Sequence, residues 1–185
     1  MAHSFHVCKR AGFIRSNELI RQSSNPPILK SANPPIHQSS NPMLLSLIGE
    51  QPIPVLLVDR ALKPAQHILA HSERTRRVAE NLETLLPHAQ TLPLQDPYDL
   101  EGIRTAFERV YQPGMIFNLT GGTKPMAWAG YDVARSRGAQ VVYLESEKKQ
   151  SKLYRFDFSN LEARQVNEIL PSLLTVSDYL AAHGL

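Results

Sequence analysis

The clearest chemical potential in this chain lies in FNLTGGTKPMAW, Phe117 to Trp128. An apolar run leads into Thr120-Gly121-Gly122-Thr123-Lys124-Pro125, and a helical pattern follows. Two adjacent glycines allow positive φ and let the backbone approach a ligand closely. Pro125 suits the first turn of a helix, where its missing N–H costs nothing. The N–H groups of Gly122, Thr123 and Lys124 are then expected to point at an anion, aided by the helix dipole. The hydroxyls of Thr120 and Thr123 add donors, and Lys124 adds a point charge. Such a turn holds a phosphate or a ribose–phosphate backbone; the alternative is a tight strand-to-helix turn that needs glycine for geometry alone. It is not a Walker A loop, which requires G-x-x-x-x-G-K-[ST], nor a G-x-G-x-x-G fingerprint. Asn118 lies on the same edge, as a base or ribose contact or as a turn-stabilising amide.

Other groups fall near the same edge. His71 and Ser72 close a predicted strand, with Thr75 and Arg76 just beyond; a lone histidine there reads as a packed side chain or as a catalyst. Glu50 and Gln51 follow the first predicted strand, and Gln51 either reads a base edge or caps the loop that Pro52 opens. Trp128 and Tyr131 offer a stacking platform, although packing of the helix on its sheet is the favoured reading. Glu147-x-Lys149 resembles half of a metal-dependent nuclease site, but a solvated charged turn is favoured, since no Asp stands in a convincing partner position upstream. There is no G-x-S-x-G, no H-E-x-x-H and no cysteine nucleophile in the core. No metal site and no cofactor are expected.

Short apolar strands alternate with amphipathic helices. Strands are expected at 43–49, 66–72, 89–94, 114–120, 139–146 and 151–158, the last hairpin-paired with the fifth. Helices are expected near 54–62, over 73–87 with Ser72 as N-cap, over 96–111 with Asp96 or Asp99 as cap, and over 124–137, stopping at Gly138. The tail 169–185 reads as a final amphipathic helix. This pattern predicts an α/β fold: a Rossmann-like, mostly parallel sheet with helices on both faces and an antiparallel C-terminal edge hairpin. Ligands of such folds bind beyond the carboxyl ends of strands, which selects GEQ (49–51), HSERT (71–75) and NLTGGTK (118–124).

The 185 residues carry a net charge of +3, but unevenly. Residues 1–42 hold five Lys/Arg and one acid, whereas the rest hold fifteen and sixteen. The folded part is therefore nearly neutral, which argues against a general grip on duplex DNA. QSSNPPIL, KSANPPIH and QSSNPMLL form an octad repeat with Asn25, Asn33 and Asn41 in register. Proline pairs and polar composition make this leader an expected disordered segment, with Met43 as the expected true start. Residues 43–170 are the expected domain, and 171–185 a helical connector. The single cysteine, Cys8, excludes an intrachain disulfide and fits a reducing cytoplasm. No apolar run approaches the ~20 residues of a membrane span.

GEQPIPVLL after the first strand, HS after the second and NLTGGTKPMAWAGYDVA after the fourth resemble the CARF (CRISPR-associated Rossmann fold) domains of type III CRISPR ancillary effectors. They are most similar to the branch fused to a restriction-endonuclease-like nuclease, and LTVSDYLAAHG resembles its connector. The resemblance implies a homodimeric sensor that binds cyclic oligoadenylate across a two-fold axis, cyclic tetra-adenylate in preference to cyclic hexa-adenylate. Identical half-sites suit a symmetric ligand. The expected ligand contacts are Glu50, Gln51, His71, Ser72, Thr75, Arg76, Asn118, Thr120, Gly121, Gly122, Thr123, Lys124 and Met126. The residues up to Leu185 include no nuclease segment, so the expectation is a sensor half or a stand-alone domain. Some stand-alone members cleave the ring; Lys124, Thr123 and His71 would then be the catalytic residues, without a metal. A third reading, unrelated to CRISPR, is a Rossmann-like domain for a mononucleotide.

Overall fold

The computed structural model describes residues 42–147, 150–159 and 164–185. The octad leader with Cys8, and Lys148 and Lys149 of the charged turn, lie outside the described residues. The elements run β1 (Met43–Leu47), α1 (Ile53–Leu62), β2 (Gln66–His71), α2 (Arg76–Leu85), β3 (Ala89–Pro93), α3 (Leu100–Val110), β4 (Ile116–Asn118), α4 (Lys124–Ser136), β5 (Gln140–Glu147), β6 (Gln150–Asp157), β7 (Arg164–Leu170) and α5 (Val176–Ala182). They build one seven-stranded sheet in the order β3-β2-β1-β4-β5-β6-β7. β1 to β5 are parallel, and β6 and β7 add antiparallel.

Side chains of β1 alternate between two cores, as the pleat requires. Leu45 and Leu47 join Ile103 and Phe107 of α3 and Met126, Ala129 and Val133 of α4 on one face. Leu44 meets Leu57 and Val58 of α1 on the other, where Ile48 and Leu69 meet Leu56, the α2 residues Ala79 and Leu82, and Ala182 of α5. Burial on both sides explains the short, continuously apolar strands. Phe107 and Phe117 are fully buried and meet edge to face, with centroids 6.4 Å apart. Each contributes about 1.5–3 kcal/mol by leaving water.

Three local outcomes differ from the sequence-based expectation. The C-terminal edge is a three-stranded meander, because RQVNEIL pairs with β6 in register from Arg164 to Leu170. The final helix therefore starts at Val176, capped by Thr175 and Asp178. β4 is only three residues long: Gly114 has φ +84°, Met115 N–H closes a turn onto Gln112, and Thr120 folds back on Asn118. Ser72 caps a 3₁₀ turn over Glu73–Thr75 that precedes α2. Of the two caps considered for α3, Asp99 accepts from Gly102 N–H at 3.1 Å, while Asp96 accepts from Tyr98 N–H. Among the described residues, no helix is long and apolar enough to cross a membrane.

Candidate functional site

β1 and β4 are neighbours whose connections leave to opposite faces, β1 into α1 and β4 into α4. This is the switch point of the sheet, where open α/β sheets form a ligand crevice beyond the strand ends. The loop after β1 and the turn after β4 touch there backbone to backbone. A Cβ on Gly121 would lie 2.3 Å from the Leu47 carbonyl oxygen and 2.9 Å from Gly49 N. Gly122 has φ +74°, and a Cβ there would lie 3.0 Å from the Leu47 Cβ and 3.1 Å from the Met126 methyl. The first glycine is needed for close approach and the second for its left-handed backbone.

Each threonine of the turn has a structural partner. Thr123 caps α4: its hydroxyl accepts from Met126 N–H at 3.3 Å and donates to the Pro97 carbonyl at 2.7 Å. Its own N–H meets the Met126 sulfur at 3.4 Å. Thr123 N–H is therefore not free for an anion, in contrast to the sequence-based expectation. Met126 is buried and forms the floor under the glycines. The N–H groups of Gly122 and Lys124 have no hydrogen-bond partner among the described residues. The Lys124 side chain is exposed and forms no ion pair among them. Of the three N–H groups expected to point at an anion, those of Gly122 and Lys124, at the entry to α4, are left without a partner among the described residues.

Thr120 and Asn118 turn inward. The Thr120 hydroxyl donates to Asn118 Oδ1 at 2.6 Å and accepts from Leu144 N–H at 2.8 Å, tying the turn to β5. Asn118 is fully buried, and its Nδ2 donates to Ser46 Oγ at 3.1 Å. Its side chain acts as the turn-stabilising amide and does not face the crevice.

The strand-two end is similarly self-satisfied. Ser72 and Thr75 are buried and share hydrogen bonds in a capping box. His71 is buried, and its Nδ1 bonds the Ser72 carbonyl at 3.0 Å. Arg76 is turned toward Glu73 of the preceding 3₁₀ turn and Glu80 of its own helix. Arg74 instead reaches across to Glu50 in an exposed ion pair. The sequence reading missed Arg74; it is the one Lys or Arg in HSERT, so its position was the available signal. Gln51 is exposed beside Glu50. Trp128 is 59 % exposed, contrary to the expected packing on the sheet, and lies one helical turn beyond Lys124. Tyr131 is 39 % exposed and meets Phe158 edge to face.

Behind the site runs a polar network the sequence reading did not anticipate. Ser46 Oγ lies 2.8 Å from His67 Nε2, and His67 Nδ1 lies 2.8 Å from Asp59 Oδ1. His88 Nε2 reaches the same Asp59 oxygen at 2.8 Å. Burial pushes His67 below its ordinary value of 6.5 despite the pull of Asp59, so the ring is neutral at pH 7. Burial opposes the charge on Asp59, but hydrogen bonds from His67 and His88 outweigh it and hold the carboxyl below its ordinary value. The assigned directions follow: Asn118 donates to Ser46, Ser46 to His67, and His67 to Asp59. The Ser–His–Asp connectivity is that of a hydrolase triad. Ser46 and His67 are 0 % exposed, however, so no substrate reaches the hydroxyl. A histidine inside the apolar strand QHILAH was the only signal in the sequence.

The chain matches the family model of the Card1 CARF domain over residues 43–179. It belongs to the CARF family. No curated protein matches it. Among solved structures, this CARF chain is similar to Can2 from Sulfobacillus thermosulfidooxidans in complex with cyclic tetra-adenylate, with 22 % identity and TM-score 0.62. That match covers 78 % of this chain and 41 % of Can2. Protein VC1899 from Vibrio cholerae has 13 % identity and TM-score 0.62, covering 77 % and 39 %. A type III CRISPR defence DNA nuclease activated by cyclic oligoadenylate has 21 % identity and TM-score 0.57, covering 78 % and 23 %. The CARF chain thus spans less than half the length of each of these proteins. The Rossmann-like sheet is the shared feature.

Proposed function

We propose that this CARF domain binds a cyclic oligoadenylate, cyclic tetra-adenylate in preference to cyclic hexa-adenylate, across a two-fold homodimer in the cytoplasm. The observation that carries the reading is the turn at the sheet's switch point. Among the described residues, Gly122 and Lys124 offer unpartnered N–H groups at the entry to α4, beside a Lys124 side chain with no ion pair. Two copies of that turn around a two-fold axis would present identical phosphate sites to a ring of repeated phosphates. The exposed Glu50–Arg74 pair and Gln51 border the turn with groups that hydrogen-bond a base edge or a ribose. Trp128 supplies an aromatic face for stacking. Family membership removes the ground for an unrelated mononucleotide domain. The near-neutral charge of residues 43–185 favours a local phosphate site over duplex DNA.

A ring-nuclease activity is the second reading. In that reaction a ribose 2′-oxygen attacks its own phosphorus, the P–O5′ bond breaks, and a 2′,3′-cyclic phosphate and a 5′-hydroxyl result. In this reading Lys124 stabilises the negative charge that builds on the phosphoryl oxygens. Thr123 and His71 are less available, because Thr123 caps α4 and His71 is buried. The deciding experiment incubates the purified protein with radiolabelled cyclic tetra-adenylate. Retention is read on a native gel and linear products on a denaturing gel. Retention without products establishes a sensor, and products that Lys124→Ala abolishes establish a ring nuclease. Neither signal, with cyclic hexa-adenylate also negative, refutes both.

A further inference from the structure

Asp59 is 3 % exposed, yet it has no Lys or Arg partner among the described residues. Its side-chain partners are the imidazoles of His67 and His88. A buried charge is ordinarily paired with an opposite charge or bound to a metal. The three groups converge: Asp59 Oδ1, His67 Nδ1 and His88 Nε2 all lie within 4.8 Å of one another. They come from α1, from β2 and from the segment entering β3.

We propose that Asp59, His67 and His88 form a zinc site that clamps α1 to the β2–β3 half of the sheet. The donor set selects the metal. Two imidazoles and one carboxylate suit Zn²⁺, whereas Mg²⁺ and Ca²⁺ prefer all-oxygen shells. Each histidine nitrogen now sits 2.8 Å from the carboxylate oxygen. Zinc bonds of ~2.0–2.1 Å in a tetrahedron place ligand atoms ~3.3 Å apart, so the Asp59 carboxylate must draw back from His67, and the His88 ring from Asp59, by roughly 0.5 Å. His88 has that freedom, since it lies between α2 and β3 and its side chain is 29 % exposed. That exposed edge gives the ion its route in and leaves water as the fourth ligand.

The protons balance without loss from either imidazole. Each neutral ring moves its proton to the nitrogen away from the metal. His67 then donates from Nε2 to Ser46 Oγ, 2.8 Å away. Ser46 Oγ has two lone pairs, one for this proton and one for the Asn118 amide. Histidine ligands to zinc commonly have such an outer partner, which orients the ring. The clamp would hold the helix that begins just after the Glu50–Gln51 loop, so it would steady one wall of the crevice from behind.

The test strips the full-length protein of metal with a chelator, then titrates Zn²⁺ against a chromophoric competitor. One equivalent should bind, and His88→Ala should weaken it at least ~100-fold with unchanged circular dichroism. At a free Zn²⁺ concentration 100 times the dissociation constant, the melting temperature should rise by roughly 5–10 °C. Ser46→Ala, as a positioning change, should weaken zinc by ~10-fold. Co²⁺ added to the unmutated protein should give the intense visible bands of a tetrahedral nitrogen–oxygen site. No binding, or equal binding in His88→Ala, overturns the proposal. So does a thiolate-to-cobalt charge-transfer band, which would place the metal on Cys8.

Discussion

Replacing Gly121 by alanine tests the site at its narrowest point. The added Cβ would lie 2.3 Å from the Leu47 carbonyl oxygen, against 3.4–4 Å for ordinary contact. Both close neighbours, Leu47 O and Gly49 N, are backbone atoms, so no side chain can swing aside. The turn must retreat by about 1 Å. Overpacking of this kind costs about 2 kcal/mol, a fall of about 4–8 °C in melting temperature for a domain of this size. The same retreat moves the Gly122 and Lys124 N–H groups off a bound phosphate. One charge-assisted hydrogen bond is worth about 1.5–3 kcal/mol. The proposed dimer would lose it twice, so the affinity for cyclic tetra-adenylate should fall by ~100-fold or more. Isothermal titration calorimetry and thermal melts on the same preparation separate the two effects. A lowered melting temperature with affinity within threefold of the original protein would show that the turn does not hold the ligand. An unchanged melting temperature would refute the contact argument itself.

Other perturbations probe the groups around the turn. Lys124→Ala should weaken the cyclic oligoadenylate tenfold or more in a filter-binding assay, and unchanged affinity in a folded variant would exclude Lys124 from the site. Asn118→Ala removes the acceptor for both Thr120 donors and leaves these part-buried groups unpaired, at up to about 1–3 kcal/mol each. Its melting temperature should fall by at least ~5 °C; an unchanged value would mean that Asn118 does not secure the turn. The carboxyl of Asp178 is held below its ordinary 3.8, first by the Thr175 backbone N–H and then by the Thr175 hydroxyl. A carboxylate with a lowered folded value stabilises above its unfolded value and loses that contribution as pH falls through the folded one. The unmodified protein should therefore melt above Asp178→Asn at pH 6, and the gap should close below pH 3.8. A gap independent of pH would show that the cap does not depend on charge. Deletion of residues 1–42 should leave the melting temperature unchanged, and a clear fall would show that the leader stabilises the domain.

Local chemistry made much of this chain legible in its sequence. Short apolar runs between amphipathic helices announced a parallel sheet covered on both faces, because each pattern reports the surface its element buries. Gly121, Gly122 and Pro125 announced a turn into a helix, because φ and the missing N–H are properties of single residues. The resemblance carried by NLTGGTK and GEQPIP named the family that residues 43–179 match. Tertiary structure alone decided which polar groups face the crevice. Thr120 and Thr123 look like phosphate donors in one dimension, but buried Asn118 Oδ1 and the Pro97 carbonyl accept their hydroxyl protons. Arg74 and Arg76 are indistinguishable by type; the 3₁₀ turn before α2 sends only Arg74 to Glu50. β7 was hidden because its partner strand supplies the pairing that its own sequence only weakly signals. Asp59, His67 and His88 are separated by 8 and 21 residues and share no motif. Their meeting is a product of strand order and helix packing, which no local pattern encodes.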